Sequence, residues 1–473
     1  MILTRNLINK NIKIHDFFDH SIVNHYDYNH LSSLIDAYKN MFIAKGAKKD
    51  RSVVIGTQAR IEQFALVFAC AELGMNVTIV ANPTALLGNG TEIIQSSAYT
   101  LSAQYKAMMP VDFFVVCSLA CTEKFQIFKN TCRQTIIIKD ETLDYTPNDT
   151  IFATDDTVFL RCPSSGTTGL PKVIQHTHNF FSQLIQRNSK MYYGTMGMLN
   201  NLNHGSSPGT YFLPGLVSDN VTDVYNIICG GDGAELANIL KNKNISLDHV
   251  MFSYTKNIES LFDSEETLGN AIIYTLGIIR QQWVDKLKGK VKDIISIFGS
   301  NETSGPTLIN QATDSDFAEN KYKKLDDFYD LTLSTEKLEF GANAELKIKM
   351  PIYNTTIPTN DLFKLQDNKY VHLGRSNLFR INDVEVNVLA YQKIIDANLK
   401  GELIVDTTKD RIYVAIWDKL ADPSLMRRID NKMRTASSNM HYISKYECLN
   451  YDDFLNGVKL DKEALREYFR NKF

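Results

Sequence analysis

The sequence predicts an α/β protein that ends in a small α+β domain. Two observations carry this. From residue 50 short β-branched runs alternate with stretches of helical spacing, and near Gly374 the character of the chain changes. Strands alternating with helices argue for parallel layers, because a parallel neighbour is reached through a crossover that is usually helical. Length agrees: 473 residues, at roughly 150 per domain, allow two or three domains and a core that needs no cross-links.

Residues 52–56 (SVVIG) read as a buried strand. Residues 60–73 have helical spacing, with Phe64, Val67, Phe68 and Ala71 on one face, and Gly74 ends the helix. Residues 76–80 (NVTIV) are the next strand, and the cycle repeats with a strand at 113–117, a helix at 122–130 and a strand at 135–138. Residues 163–172 form a Ser/Thr/Gly-rich loop, and residues 205–215, carrying Pro208 and Pro214, read as a second loop. Alternation at 345–350 and 362–365 predicts strands. Beyond Gly374, strands at 403–406 and 412–417 and helices at 423–437 and 461–469 make a compact α+β unit. The boundary falls at 374–377, giving domains 1–374 and 375–473.

Composition excludes several classes of function. Lys+Arg 51 against Asp+Glu 54 leaves a net charge of -3, which excludes a generally basic nucleic-acid binder. The seven cysteines (70, 117, 121, 132, 162, 229 and 448) are odd in number and contain no CxxC pair. Neither a zinc knuckle nor a disulfide framework is indicated, and reduced thiols are expected. Residues 1–20 lack the apolar core of a signal peptide, and no apolar run nears the roughly 20 residues that span a bilayer. A cytoplasmic protein without a membrane span is expected.

The strongest chemical signal is Ser164-Ser165-Gly166-Thr167-Thr168-Gly169-Leu170-Pro171-Lys172. Its glycines let the backbone turn tightly and approach a ligand closely. Its hydroxyls and backbone N–H groups can donate to phosphate oxygens, and Lys172 adds a positive charge. It is not a Walker A loop, since G-x-x-x-x-G-K-[ST] is absent.

This segment resembles the phosphate-binding loop of the adenylate-forming superfamily, which includes acyl- and aryl-CoA synthetases, peptide-synthetase adenylation domains and luciferase. Residues 154–159 (TDDTVF) resemble that family's lead-in strand, and His176-Thr177-His178-Asn179 falls where it has a histidine opening a helix. Further segments resemble its other motifs, in order. Phe298-Gly299-Ser300-Asn301-Glu302-Thr303 resembles the aromatic-Gly-x-Thr-Glu motif. That resemblance implies that Phe298 lies beside adenine, Asn301 donates to the α-phosphate and Glu302 binds Mg²⁺. Thr359-Asn360-Asp361-Leu362 resembles Thr-Gly-Asp-Leu, implying that Asp361 accepts from both ribose hydroxyls, as two carboxylate oxygens can. Gly374-Arg375 resembles the Gly-Arg that opens a hinge, with Arg375 on ribose or phosphate and Asn377 near the hinge. Asn456-Gly457-Val458-Lys459-Leu460-Asp461-Lys462 resembles the C-terminal segment carrying the adenylation lysine, matched here by Lys459.

Two weaker resemblances concern the substrate side. Asn203-His204-Gly205 resembles the region where the acyl pocket begins, and Thr275-Leu276-Gly277 falls at the adenine-contacting turn. Departures are Asn301 for Thr, Asn360 for Gly, Val458 inserted before Lys459, and Asn382-Asp383-Val384 where the family has glycine. The last would line the channel for a pantetheine thiol.

The resemblance implies a large N-terminal domain of layered α/β subdomains, a small mobile C-terminal domain, and nucleotide between them. It implies an AMP-forming acid–thiol ligase using ATP and Mg²⁺, with catalytic groups Lys459, Glu302, Thr168 and His204. Ser164, Ser165, Gly166, Thr167, Thr168, Gly169, Lys172, Phe298, Asn301, Asp361 and Arg375 would bind the nucleotide. The partners implied are a small carboxylic acid and CoA as acceptor. Alternatives are the phosphopantetheine of a carrier protein, an amine or alcohol, or a non-catalytic nucleotide-binding role. The basic run Arg427, Arg428, Lys432 and Arg434 would face a carrier, the CoA 3′-phosphate or solvent.

Overall fold

The computed structural model describes residues 1–18, 21–57, 61–80, 84–86, 92–94, 110–116, 131–163, 173–199, 207–227, 232–252, 256–315, 317–334, 344–375, 378–381, 384–387, 391–392, 394–395, 398, 400–406, 411–417, 423–436, 445–456, 459–460 and 462–473. Six strands form one sheet in the order Val173–Thr177, Val158–Pro163, Asn76–Ile79, Ser52–Gly56, Val111–Val116, Cys132–Ile137. All neighbours are parallel except the first pair. The strands read from β-branched runs are therefore present. The helix expected at 122–130 lies outside the described residues.

The second sheet has thirteen strands and changes character halfway. One half is parallel: Lys13–Phe18, Val221–Ile227, Gly194–Leu199, His249–Phe252, Ile272–Thr275 and Asp293–Gly299, with Ser21–Asp27 antiparallel at the edge. The other half is antiparallel: Pro306–Gln311, Lys321–Lys324, Lys369–Arg375, Thr355–Gln366, Ala344–Met350 and Asp330–Leu333. The switch between the halves is the turn joining Asp293–Gly299 to Pro306–Gln311. That turn is the Phe298–Thr303 motif.

Helix Ile61–Glu72 is buried at every position but Glu62. Such a helix is enclosed by other elements rather than laid on a surface, and the expected face of Phe64, Val67, Phe68 and Ala71 is part of that burial. Of the loop expected at 205–215, the residues from Pro208 onward depart from expectation. Pro208–Phe212 is a π-helical turn running into helix Leu213–Val217, and all ten residues are buried. Pro208 stands at the first position of the segment, where a missing N–H costs nothing. Pro214 lies further in, and the Gly209 and Thr210 carbonyls before it accept from Asn188 Nδ2 at 2.7 Å and the Tyr192 hydroxyl at 2.6 Å.

The C-terminal unit has its own cores on the sheet Gly401–Asp406, Arg411–Ile416, Lys445–Cys448. Ile412, Val414 and Ile416 join Leu403 and Ile429 on one side, whereas Tyr413 and Ala415 join Leu465 and Phe469 on the other. This is the period-2 alternation of a strand covered on both faces. Helix Pro423–Ala436 supplies Ile429 and helix Lys462–Lys472 supplies Leu465 and Phe469. Arg427 and Arg428 are exposed. Among the described residues no helix is long and apolar enough to cross a membrane.

A buried ionic cluster ties the start of the chain to helices Tyr28–Ala44 and Ile61–Glu72. The Glu72 carboxylate accepts from Arg5 Nη2 at 2.8 Å and from Lys39 Nζ at 2.7 Å, and Arg5 also reaches Asp36 at 2.6 Å. The Lys39 side chain is fully buried. Burial pushes the Glu72 pKa up, but the bonds from Arg5 and Lys39 outweigh it and hold the group below the usual carboxylate range. Removing one partner of such a cluster strands a buried charge, at a cost of about 3–5 kcal/mol. Glu72→Ala is expected to destabilise the large domain on that scale in denaturant unfolding. Lys39→Met in the same chain is expected to recover much of the loss; an undiminished loss would contradict this account.

Candidate functional site

Residues 164–172, the candidate phosphate loop, lie outside the described residues, as does His204. Their setting is described. Pro163 and Val173 are partners in an antiparallel ladder, so the nine residues between begin and end at the same point. Two side chains from this strand pair converge on one acceptor. His176 Nε2 donates to the Asn301 carbonyl at 2.9 Å, and Cys162 Sγ lies 3.8 Å from the same oxygen. The loop's two flanking strands are thus fixed to the turn that carries Asn301 and Glu302.

Burial holds His176 neutral, with its pKa down to about 4 despite the bond to Asn301. Its ring stacks on Phe180, centroids 5.0 Å apart, and with Nε2 donating, the buried Nδ1 carries no proton. The Cys162 thiol is pushed up to about 12 by burial and, secondarily, by the charge of Glu302, so it stays protonated and inert. His178 opens helix His178–Ser189 behind the N-cap Thr177, as expected of this segment. It faces the core instead, where Nδ1 accepts from Leu3 N at 3.1 Å, and burial lowers its pKa to about 4.

The turn after Phe298 is locked by Thr303, whose hydroxyl accepts from Ser300 N at 3.0 Å and donates to the Gly305 carbonyl at 2.9 Å. Ser304 N reaches the Ser300 carbonyl at 2.9 Å, with Ser304 at a φ of 50°. A Cβ at position 299 would stand 2.4 Å from the Gly305 oxygen, so only glycine fits there. This is the physical reason for the glycine of that motif. Gly209 is similar: a Cβ would meet the Ser304 carbonyl at 2.2 Å, and the close approach seats helix 208–217 under the turn.

Across the antiparallel half, Asp361 is nearly buried and faces the same neighbourhood. Thr359 Oγ1 donates to the Leu346 carbonyl at 2.8 Å and accepts from Asp361 N at 3.1 Å, which fixes the backbone there. His372 Nε2 is 3.0 Å from Asp361 Oδ1. The Phe298 ring meets Phe363 edge-on at 5.2 Å and lies 6.0 Å from the His372 ring. Ser296 Oγ donates to the Gly277 carbonyl at 2.8 Å and lies 3.2 Å from the Tyr322 hydroxyl. Residues 275–277, Phe298, Tyr322, Asp361 and His372 therefore belong to one region. Arg375 stands opposite Asp361 in register; its side chain, and that of Asn360, lie outside the description.

Lys459 lies in a two-residue strand, paired with Asn456, and Leu455 pairs with Leu460. Residues 457, 458, 461, 376–377 and 382–383 lie outside the description. Sequence reasoning missed His372, Tyr322 and the structural use of His176. A polar residue two before the Gly374-Arg375 pair, in an otherwise regular strand, was the available signal for His372.

Two sheets with their switch turn, and a C-terminal α+β unit, make a fold similar to that of solved CoA synthetases and ligases. Residues 14–198 match the family model described as AMP-binding enzyme. Among solved structures, the o-succinylbenzoate CoA synthetase of Bacillus subtilis bound with a product analogue matches with a TM-score of 0.67 and 14% identity, covering 98% of this chain and 96% of that one. An anthranilate CoA ligase in complex with anthranoyl-AMP matches with a TM-score of 0.64 and 12% identity, over 98% and 95%. An artificially fused adenylation–PCP di-domain NRPS from Klebsiella oxytoca matches with a TM-score of 0.63 and 13% identity, over 96% and 95%. No curated protein matches the sequence. The resemblance read from the motifs is borne out by the family model and the fold together.

The buried histidines make the site acid-labile. Both titrate in the fold near 4, below the ordinary 6.5, so the unfolded chain binds more protons between those values. Their stabilising contribution is present above about pH 6.5 and is lost as pH falls toward 4, at about 1.4 kcal/mol per pH unit for each histidine. Unfolding midpoints measured from pH 7 to 4.5 are expected to fall, and less steeply in His176→Gln. An equal slope in the variant would contradict the assignment.

Proposed function

We propose that this chain is an ATP-dependent carboxylic acid ligase. One carboxylate oxygen of the acid attacks the α-phosphorus of ATP, a P–O bond forms, and the bond to the β-phosphate breaks to release pyrophosphate. A carboxylate is already nucleophilic, so no general base is required. The protein has to align two anions and stabilise the charge that develops. The observation that carries this reading is the meeting of three distant segments. The turn with Glu302 is held by His176 and Cys162 to the strands bounding residues 164–172, and its other side adjoins Asp361.

In this reading Ser164, Ser165, Thr167, Thr168 and the amides of Gly166 and Gly169 hold the β- and γ-phosphates with Lys172. Phe298 packs beside adenine, Asn301 donates to the α-phosphate, and Asp361 and Arg375 fix the ribose. Glu302 suits Mg²⁺, a hard cation commonly held by one or two carboxylates plus substrate phosphates. When bound, that ion neutralises phosphate charge. His204 begins the acyl side. Lys459 bridges carboxylate and α-phosphate from the small domain. The domains divide at 374–377, and rotation there withdraws Lys459 so that an acceptor can attack the acyl-adenylate. The acceptor is most simply the thiol of CoA; a carrier-protein pantetheine uses the same chemistry.

The test is carboxylate-dependent exchange of pyrophosphate into ATP with pooled fatty, aryl, amino and small organic acids. Exchange with one pool is expected. Lys459→Ala is expected to lower it by about 10²-fold or more, the scale of a lost charge-stabilising donor, while sparing use of a pre-formed acyl-adenylate. Exchange at the wild-type rate in that variant would overturn the lysine's role.

A further inference from the structure

We infer that His372 is a positioning residue for the Asp361 carboxylate and sets the site's selectivity for a ribose with both hydroxyls. This rests on the reading that Asp361 binds ribose.

The strand pair Thr355–Gln366 and Lys369–Arg375 contains a bulge. Asp361 pairs with Arg375 and Leu362 with Gly374, but Phe363 pairs with His372, so Leu373 is left over. In a regular ladder Leu373 would stand opposite Phe363, and His372 would point to the other face. Bulges re-aim side chains in this way and are over-represented beside active sites. Here the extra residue costs an exposed leucine, with Leu373 40% exposed, and gains a histidine on the face of Asp361.

The histidine is well held. Its Nε2 lies 3.0 Å from Asp361 Oδ1, with side-chain exposures of 15% and 8%. Its ring packs against Phe363 at 4.9 Å and stands 6.0 Å from Phe298. Donation from Nε2 to one oxygen fixes the plane of the carboxylate. A vicinal diol needs that plane, because each hydroxyl must meet its own lone pair. A sugar with one hydroxyl can be met by a carboxylate in many rotations. A fixed carboxylate therefore favours the diol, and a loose one discriminates less. His372 touches no reacting atom in this account and acts through Asp361.

The experiment compares apparent KM and kcat for ATP and for 2′-deoxy-ATP in pyrophosphate exchange, with nucleotide Kd by calorimetry, in His372→Phe, His372→Gln and Asp361→Asn. Phe keeps the ring and its packing but removes the donor. His372→Phe is expected to raise the KM and Kd for ATP by about tenfold, the scale of one hydrogen bond to a charged group, with kcat changed far less. The preference for ATP over 2′-deoxy-ATP is expected to shrink in the same variant. His372→Gln, which retains a donor, is expected to recover part of both. In an Asp361→Asn background, His372→Phe is expected to add little. Should the phenylalanine variant not fold, His372→Leu carries the same expectations. Unchanged affinity and preference in His372→Phe, with both lost in Asp361→Asn, would overturn this inference alone. No effect of Asp361→Asn on nucleotide binding would overturn the ribose reading and this inference with it.

Discussion

The hydrogen bond from His176 Nε2 to the Asn301 carbonyl, at 2.9 Å, sets the distance between the two sheets at the point where the site lies. The residues are 125 apart in sequence: His176 lies in the smaller sheet and Asn301 in the turn between two strands of the larger one. A backbone carbonyl is a fixed acceptor, and a buried neutral imidazole with one committed nitrogen is a fixed donor. Burial makes the bond costly to break, because each partner would be left without water. It also keeps the histidine uncharged, so no positive charge is introduced beside Glu302.

From that bond the rest of the site follows by backbone geometry. The turn between Gly299 and Gly305 is too tight for a side chain at position 299, and Thr303 closes it with two hydrogen bonds. The turn sits where parallel strands give way to antiparallel ones. Ligands in open α/β sheets gather beyond the carboxyl ends of strands at changes of topology. The antiparallel strands then bring Asp361 and His372 to the side of Phe298. Rigid elements thus hold every described group of the proposed nucleotide site, and catalysis by alignment requires that rigidity.

Much of this was legible in the sequence, for reasons that differ by element. Buried parallel strands such as residues 52–56 are continuous β-branched runs, and nothing competes with that signal. The strand Lys13–Phe18 (KIHDFF) mixes polar and apolar residues and was not read as a strand at all. Its place is set by Val221–Ile227, some 200 residues away, which no local pattern reveals. Pro208 and Pro214 mark a loop in the sequence because proline is disfavoured within helices; Pro208 at a first position is not, and the side chains of Asn188 and Tyr192 take up the carbonyls before Pro214. The glycine of the Phe298 turn was read from its resemblance, and the structure supplies the cause in the Gly305 carbonyl. His372 could not be placed, because a one-residue bulge reverses which face a strand residue occupies.

The central claim is that adenine binds against the Phe298 turn, between the two halves of the large sheet. Photolabelling with 8-azido-ATP and mapping of the labelled peptides tests it most directly. The account predicts label on peptides containing Gly277, Phe298 or Tyr322, suppressed by excess ATP. Suppressible label confined to peptides outside these three segments would contradict it.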